Sequence, residues 1–175
     1  LDPKSNLFDH KIYVICSEGD LQEGVSGEAS SIAGTQELGN LIVIFDENRI
    51  SIEGDTHNTF KEDVSARYRA YGWQVIDVAA NADGSADIEK IDTAIESAKS
   101  ETTKPSLIRI QSVIAWPAPN ARNTAEAHGS ALGAEEIAAT KKILGLNPDE
   151  NFAMPANLLA HARKVKDRGI DKHNS

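Results

Sequence analysis

The chain has a single cysteine, Cys16, among 175 residues. One thiol excludes an internal disulfide and is typical of a reducing compartment, so we expect a cytoplasmic location. No apolar run is long enough to span a bilayer, and the first ten residues lack the pattern of a signal peptide. Lysine and arginine form no cluster and the net charge is -9, which argues against nucleic acid and membranes as partners.

What the sequence does contain is a regular alternation of short apolar runs and amphipathic stretches. The apolar runs predict β-strands at residues 11–16, 41–45, 73–78 and 106–114. The stretches between and after them predict helices at residues 22–37, 60–71, 87–99, 134–144 and 156–168. Strand–helix alternation of this kind predicts an α/β fold, with a parallel sheet that has helices on both faces.

Oxygen-bearing side chains follow the first two predicted strands. Residues 17–20 (SEGD), predicted to form a tight acidic turn, come after the first strand, and residues 46–48 (DEN) come after the second. Both ends belong to one edge of a parallel sheet, where ligands of open α/β sheets bind. Mg²⁺ prefers one or two carboxylates plus the phosphates of its ligand. The spacing favours a magnesium–phosphate site, although a lone acidic turn is more often solvated.

The segment SEGDLQEGVSGEASSIAGTQELGNLIVIFDENRISIEGD resembles the thiamine diphosphate motif of transketolases, which begins with GDG and ends in an Asn-bearing turn. The similarity continues through FKEDVSARYRAYGWQVIDV and KPSLIRIQSVIAWPAPN to AHGSALG, and covers roughly residues 9–146. The resemblance implies a thiamine diphosphate-binding fold. The complete enzyme would transfer a two-carbon ketol unit from a ketose phosphate to an aldose phosphate, a reaction of the pentose phosphate pathway.

The resemblance also implies roles for individual residues. Glu18 stands at the position of the metal-binding Asp, and Gly19 at that of a glycine that lets the backbone approach the diphosphate. Asn48 would supply a side-chain oxygen, and Ile50 its backbone carbonyl, to Mg²⁺, for which Ca²⁺ can substitute. His128 corresponds to a histidine near the diphosphate and the reacting carbonyl of the sugar. Without the resemblance, His128 would be interpreted as a surface histidine.

A homodimer interface is implied as well. Glu23 matches a carboxylate that is coupled across the interface to the cofactor-activating glutamate of the partner, which gives it a predicted catalytic role beside His128. Glu28 matches a second interface carboxylate. The predicted helix at residues 22–37 would pack against its symmetry mate through its small residues. Taken alone, the two glutamates are typical of solvated helix surfaces.

The chain departs from the family pattern at two places. Ser17 and Glu18 replace the usual Gly-Asp, which lengthens the metal-binding side chain by one methylene, and Mg²⁺ tolerates poor octahedral geometry badly. Residues 121–123 (ARN) replace a stretch that often carries a lysine.

Transketolases also have parts that 175 residues cannot hold. They begin with helices and a glycine-rich loop, and they continue into a pyrimidine-binding domain that carries the activating glutamate. We therefore expect residues 1–146 to be an N-terminally truncated diphosphate-binding (PP) domain, and residues 147–175 to begin an inter-domain linker with a short helix. Alone, the chain should be inactive toward sugar phosphates.

Two alternatives remain open. One is a non-catalytic assembly or binding module of the same fold. The other is a related thiamine diphosphate enzyme of the dehydrogenase E1 type, which shares the metal turn but resembles LQEGVSGEASSIAG and HGSALG less.

Overall fold

The computed structural model describes residues 9–174. The strands in this part are β1 (Ile12–Ser17), β2 (Leu41–Glu47), β3 (Ile50–Ser51), β4 (Gly54–Asp55), β5 (Gln74–Val78) and β6 (Ser106–Gln111). The helices are α1 (Glu18–Gln22), α2 (Gly24–Thr35), α3 (Val64–Ala70), α4 (Ile88–Ser100), α5 (Glu126–Gly129), α6 (Ala134–Ile143) and α7 (Ala156–Asn174). Residues 1–8 and Ser175, which fall within the predicted segments 1–146 and 147–175, lie outside the described residues.

Four parallel strands form the main sheet, in the order β1-β2-β6-β5. All four are strands that the apolar runs predict. The fourth is shorter than predicted and ends at Gln111, since Ser112 turns its hydroxyl to the Asp46 side chain and the chain then enters a turn at Ala115, where φ is 56°. The predicted parallel α/β architecture is confirmed.

Each face of this sheet has its own hydrophobic core. One core joins the sheet to α1, α2 and α3, and its buried members are Cys16, Leu21, Ala33, Val43, Phe45, Val64, Tyr68, Trp73 and Leu107. The other joins the sheet to α4, and its buried members are Ile42, Val78, Ala94, Ala98, Ile108 and Ile110. Successive strand residues alternate between these two cores, as the period of two requires. Helices therefore cover both faces, as predicted.

The acidic stretch after β1 is helical, which corrects the prediction of a tight turn. The Asp20 carboxylate accepts a hydrogen bond of 2.8 Å from the backbone N–H of Ser17 and so closes the first turn of α1. The predicted helix at residues 22–37 is also interrupted: Glu23 has an extended backbone, with φ -67° and ψ 130°, and separates α1 from α2. This break changes the direction of the chain immediately after the carboxyl edge of the sheet.

The small residues of α2 pack against the chain's own core. A Cβ added at Gly27 would lie 3.5 Å from the Tyr71 hydroxyl, and one at Gly34 would lie 1.8 Å from the Tyr71 carbonyl oxygen. Gly27 and Gly34 are thus partly covered, whereas Ala29 and Ser31 of the same helix are exposed, and packing of the helix against a symmetry mate stays a prediction. The exposed face of α2 instead carries Val25 and Ile32, which are 69% and 62% exposed.

Other helix boundaries are set by side-chain caps. The helix predicted at residues 60–71 begins at Val64, because the Asp63 carboxylate accepts a hydrogen bond of 2.9 Å from the N–H of Ala66. Helix α7 is longer than the short helix predicted there, and its residues are exposed. Among residues 9–174, no helix combines the length and the apolar character that a bilayer crossing requires.

Candidate functional site

The ends of β1 and β2 meet at the carboxyl edge of the sheet. Ser17 is in register with Asp46, so Glu18, the first residue of α1, lies beside the end of β2. Glu18 is only 3% exposed, and its Oε1 atom accepts a hydrogen bond of 2.5 Å from the backbone N–H of Arg49. The structure therefore brings Glu18 next to the segment that carries Asn48, as the spacing predicts for a parallel sheet.

The buried Glu18 carboxyl lies in an acidic environment. Burial is the largest influence and raises its pKa; the Arg49 N–H acts in the opposite direction, and the carboxylates of Asp46 and Glu47 add to the increase. The net pKa of Glu18 is above its usual value. A cation at this edge would offset both the desolvation of the charged form and the repulsion from its neighbours.

Asn48 is held in place by its immediate neighbours. Its Oδ1 atom accepts a hydrogen bond of 3.0 Å from the N–H of Ile50, and its Nδ2 atom donates to Asp46 at 3.2 Å. The Asp46 carboxylate also accepts a hydrogen bond from the Ser112 hydroxyl. Asn48 and Ile50 line a cavity of about 350 Å³. It shares Glu47, Arg49 and Asp55 with a neighbouring cavity of about 440 Å³, which Glu18 lines.

These residues fit a magnesium ion that is completed by its ligand. Over residues 9–174 there is no group of three or more His, Cys, Asp or Glu side chains able to hold a metal ion. Mg²⁺ does not require such a group, because it is commonly bound by one or two carboxylates plus phosphates and water. Glu18 offers one buried carboxylate and Asn48 one amide oxygen, which are donors of that kind on neighbouring cavities at adjacent strand ends.

Gly19 is open on its side-chain face. A Cβ added there would meet no described atom within 4 Å, and φ is not in the left-handed region. Neither packing nor backbone conformation within the described chain therefore requires glycine at this position. The open space beside Glu18 leaves room for a ligand to approach the backbone.

His128 lies on α5 and is exposed. It lines a cavity of about 470 Å³ with Ile52, which is at the tip of the β3–β4 hairpin. The same hairpin carries Ile50, so it connects this cavity with the one that Asn48 lines. His128 thus lines a cavity beside the same hairpin, and this cavity differs from the one that Glu18 lines and from the one that Asn48 lines.

The two predicted interface glutamates are apart from these cavities. Glu23 is exposed in the short link between α1 and α2, and Glu28 is exposed on α2. Both are accessible to a partner. The structure does not bring Glu23 together with His128 within the described chain.

One ion pair beside the candidate site has no signal in the sequence. The Arg109 guanidinium donates to both carboxylate oxygens of Glu47, at 2.9 and 2.7 Å, and to Asp77 at 3.2 Å. This pairing holds Glu47, the residue before Asn48, and neutralises one of the carboxylates at the sheet edge. Arg109 and Glu47 are far apart in the chain, and only the β2–β6 pairing brings them together.

The chain is similar to one protein family over nearly its whole length. Residues 2–175 match the family described as "Transketolase, thiamine diphosphate binding domain". The transketolase of Mycobacterium leprae is 51% identical over 172 residues, which are 98% of this chain and 24% of that protein. The transketolase of a Nostoc species is 47% identical over 167 residues, covering 95% of this chain and 24% of that protein.

The chain is also similar to solved transketolase structures. A transketolase from Leishmania mexicana matches with a TM-score of 0.86 and 35% identity, over 94% of this chain and 24% of that chain. A transketolase from Pichia stipitis, in complex with sedoheptulose 7-phosphate, matches with a TM-score of 0.83 and 42% identity, over 93% of this chain and 24% of that chain. This chain spans about a quarter of the length of the curated relatives it matches.

Proposed function

Because this chain belongs to the transketolase family, as its thiamine diphosphate binding domain, we propose that it binds the cofactor's diphosphate together with Mg²⁺ at the carboxyl edge of the sheet. In this proposal Glu18, Asn48 and the carbonyl of Ile50 hold the ion, and Ca²⁺ can take its place. Gly19 lies against the diphosphate. The observation that carries the proposal is the buried carboxylate of Glu18, which reaches the end of β2.

Glu18 supports this proposal despite being longer than the usual aspartate. One of its oxygens is fixed by the Arg49 N–H, so the side chain does not have to be ordered when the ion binds. Its raised pKa reflects a charge that is poorly compensated by the described chain. Binding a divalent ion would supply the missing compensation.

For the whole protein, we propose transfer of a two-carbon ketol unit from a ketose phosphate to an aldose phosphate. The bound cofactor supplies the carbanion chemistry. His128 would donate a hydrogen bond to an oxygen of the sugar that gains negative charge, from the cavity that it lines together with Ile52. Glu23 would act across a homodimer interface, which its exposed position permits.

A thermal melt with Mg²⁺ and thiamine diphosphate tests the cofactor site. A ligand that binds only the folded state stabilises it, so the melting temperature should rise. Glu18→Gln should abolish this rise. The glutamine side-chain oxygen can still accept the hydrogen bond from the Arg49 N–H, and the substitution removes a negative charge beside Asp46 and Glu47. The melting temperature without ligand should therefore not fall.

Glu89→Gln is the matched control. Glu89 is an exposed carboxylate in the first turn of α4, on the opposite face of the sheet, and its variant should keep the full ligand-induced rise. Absence of any rise in the folded wild-type chain would favour the non-catalytic assembly or binding module. A rise that Glu18→Gln retains would show that the ion is bound elsewhere.

A further inference from the structure

A single carboxylate, that of Glu136, joins the chain on the two sides of His128. Glu136, in the first turn of α6, accepts hydrogen bonds through Oε1 from the backbone N–H groups of Asn120 and Ala121, at 2.7 and 2.8 Å. Its Oε2 atom accepts from the Asn120 side-chain amide at 2.8 Å. These contacts, which we term the Glu136 clamp, join the chain before His128 to the helix after it.

A second set of hydrogen bonds connects the clamp to α5. The Thr124 hydroxyl donates to the carbonyl of Ala121 at 2.8 Å, and the backbone N–H of Ala127 donates to that hydroxyl at 3.4 Å. Ala127 is the residue before His128. A continuous path therefore leads from the Glu136 clamp through Thr124 to the helical turn that presents the imidazole.

The helical turn that carries His128 is short and has no buried residue. Helix α5 has four residues, and a single helical turn is unstable without tertiary support. The Glu136 carboxylate can supply this support, because an ionised carboxylate only accepts hydrogen bonds and all of its partners here are donors. The hydrogen bonds from the Asn120 side chain, then from the backbone of Ala121 and Asn120, hold the pKa of Glu136 below its usual value, so the clamp stays ionised at neutral pH.

We propose that Glu136 is a positioning residue that holds His128 in place at the cavity shared with Ile52. The inference rests on the proposed function in one respect, namely that His128 faces the bound cofactor and sugar. With the clamp closed, the imidazole is already located before the ligand arrives. With the clamp open, ligand binding must also order the loop, which lowers affinity.

Amide hydrogen exchange in the ligand-free whole protein tests the clamp itself. Glu136→Ala leaves the two backbone N–H groups without their acceptor, so exchange over residues 120–130 should accelerate on the order of tenfold. Glu136→Gln should restore protection, since its amide oxygen can accept from both N–H groups. Glu135→Ala, which removes the neighbouring exposed carboxylate of α6, should leave exchange unchanged.

Asn120→Ala provides a milder variant that keeps the proposal testable should Glu136→Ala fail to fold. It removes only the Oε2 contact and should give intermediate exchange. Exchange at the wild-type rate in both Glu136→Ala and Asn120→Ala would overturn the clamp. This measurement needs no cofactor, so it is independent of the proposed function.

A double-mutant cycle on thiamine diphosphate affinity, measured in the presence of Mg²⁺, tests the link to His128. Glu136→Ala should raise the Kd about tenfold in the wild-type background and have little further effect in the His128→Ala background. A merely structural role would give the same factor in both backgrounds and would overturn the positioning role. Failure of the wild-type protein to bind thiamine diphosphate would instead overturn the proposed function.

Discussion

Because Gly34 has no side chain, α2 can approach the backbone at Tyr71, which follows α3. The Tyr71 carbonyl oxygen lies 1.8 Å from the position that a Cβ at Gly34 would take. Because the obstacle is backbone, no change of side-chain rotamer can relieve the contact. Gly24, at the start of the same helix, has no described atom within 4 Å of the corresponding position.

Gly34→Ala should therefore lower the free energy of unfolding by about 3 kcal/mol, as overpacking in a core does. Gly24→Ala should be neutral or should stabilise by up to about 1 kcal/mol, because alanine has the higher helix propensity. Urea unfolding of the two variants beside the wild-type chain provides the comparison. Equal stability of the two variants would show that α2 can shift at no cost.

At the scale of elements, a row of charges joins three strands to a helix. Arg109 on β6 links Glu47 at the end of β2 to Asp77 on β5. Asp77 also accepts from Ser65 at 2.6 Å and from Arg69 at 2.8 Å, both on α3. The row thus fixes α3 to the carboxyl half of the sheet, beside the candidate site.

The pH dependence of stability should report on this row. Burial acts to raise the pKa of Asp77, but hydrogen bonds from Ser65, Arg109 and Arg69 outweigh it and hold the pKa below its usual value. For a lowered pKa, the contribution to stability is present above the unfolded-state pKa, about 3.9, and is lost as the pH falls through the folded-state pKa.

Asp77→Asn should accordingly lower the free energy of unfolding at pH 7, by about 1 kcal/mol given that the side chain is 42% exposed and screened by solvent. The difference from wild type should shrink as the pH is lowered below about 4. Chemical unfolding at a series of pH values provides the measurement, with the exposed Asp92→Asn on α4 as the control. A difference that is independent of pH would contradict the charge-based explanation.

The sequence predicts the strands better than the ends of the helices. Runs of β-branched and aliphatic residues bounded by polar turns locate β1, β2, β5 and β6 within a few residues. The helix ends depend on side-chain contacts such as Asp63 with Ala66, and on the extended backbone of Glu23, which periodicity alone does not reveal. The β3–β4 hairpin, in which Gly54 has a φ of 125°, is not among the strands that the apolar runs predict.

The candidate site is predictable only where its residues belong to a recognisable motif. Glu18 and Asn48 follow from strand ends and the family resemblance. Glu136 and Arg109 form hydrogen bonds with residues that are distant in the sequence and that only the fold brings near them. Nothing in their local sequence distinguishes them from ordinary surface charges. Distances such as 2.7 Å from the Asn120 N–H to Glu136 become visible only in three dimensions.

On the scale of the whole molecule, exposed apolar side chains occur on the edge strand β1 and on α2, and also within residues 132–170. On this edge strand Ile12, Tyr13, Val14 and Ile15 are exposed, with Ile15 reaching 77%. Val25 and Ile32 are exposed on α2. Exposed apolar side chains on two neighbouring elements are typical of an interface, and they support the prediction of self-association through α2.

Ile32→Lys should weaken self-association at least about tenfold, because it places a charge within the apolar surface. Ile88→Lys is the matched control, since Ile88 is similarly exposed but lies on α4. Sedimentation at several protein concentrations gives the association constants. A strictly monomeric wild-type chain would contradict the prediction.

The chain alone should show no ketol transfer. The family resemblance places the glutamate that activates the cofactor on the pyrimidine-binding domain, and loss of a group that acts in the transition state lowers turnover itself. A coupled assay with a pentulose phosphate and a pentose phosphate should give only background. Turnover that survives purification and disappears in His128→Ala would show that these residues contain the catalytic machinery.

The β3–β4 hairpin has a thermodynamic consequence under the proposed function. Ile50 lines one cavity and Ile52 another. Because both belong to the hairpin, a ligand in either cavity would restrict the motion of the hairpin and so reduce the entropy that is lost when the second ligand binds. The ion and the sugar would then show positive linkage, and each would raise the affinity of the other by the same factor. An ion that Asn48 coordinates poorly would then weaken the binding of the sugar, so the affinity for the sugar would depend on which metal is bound.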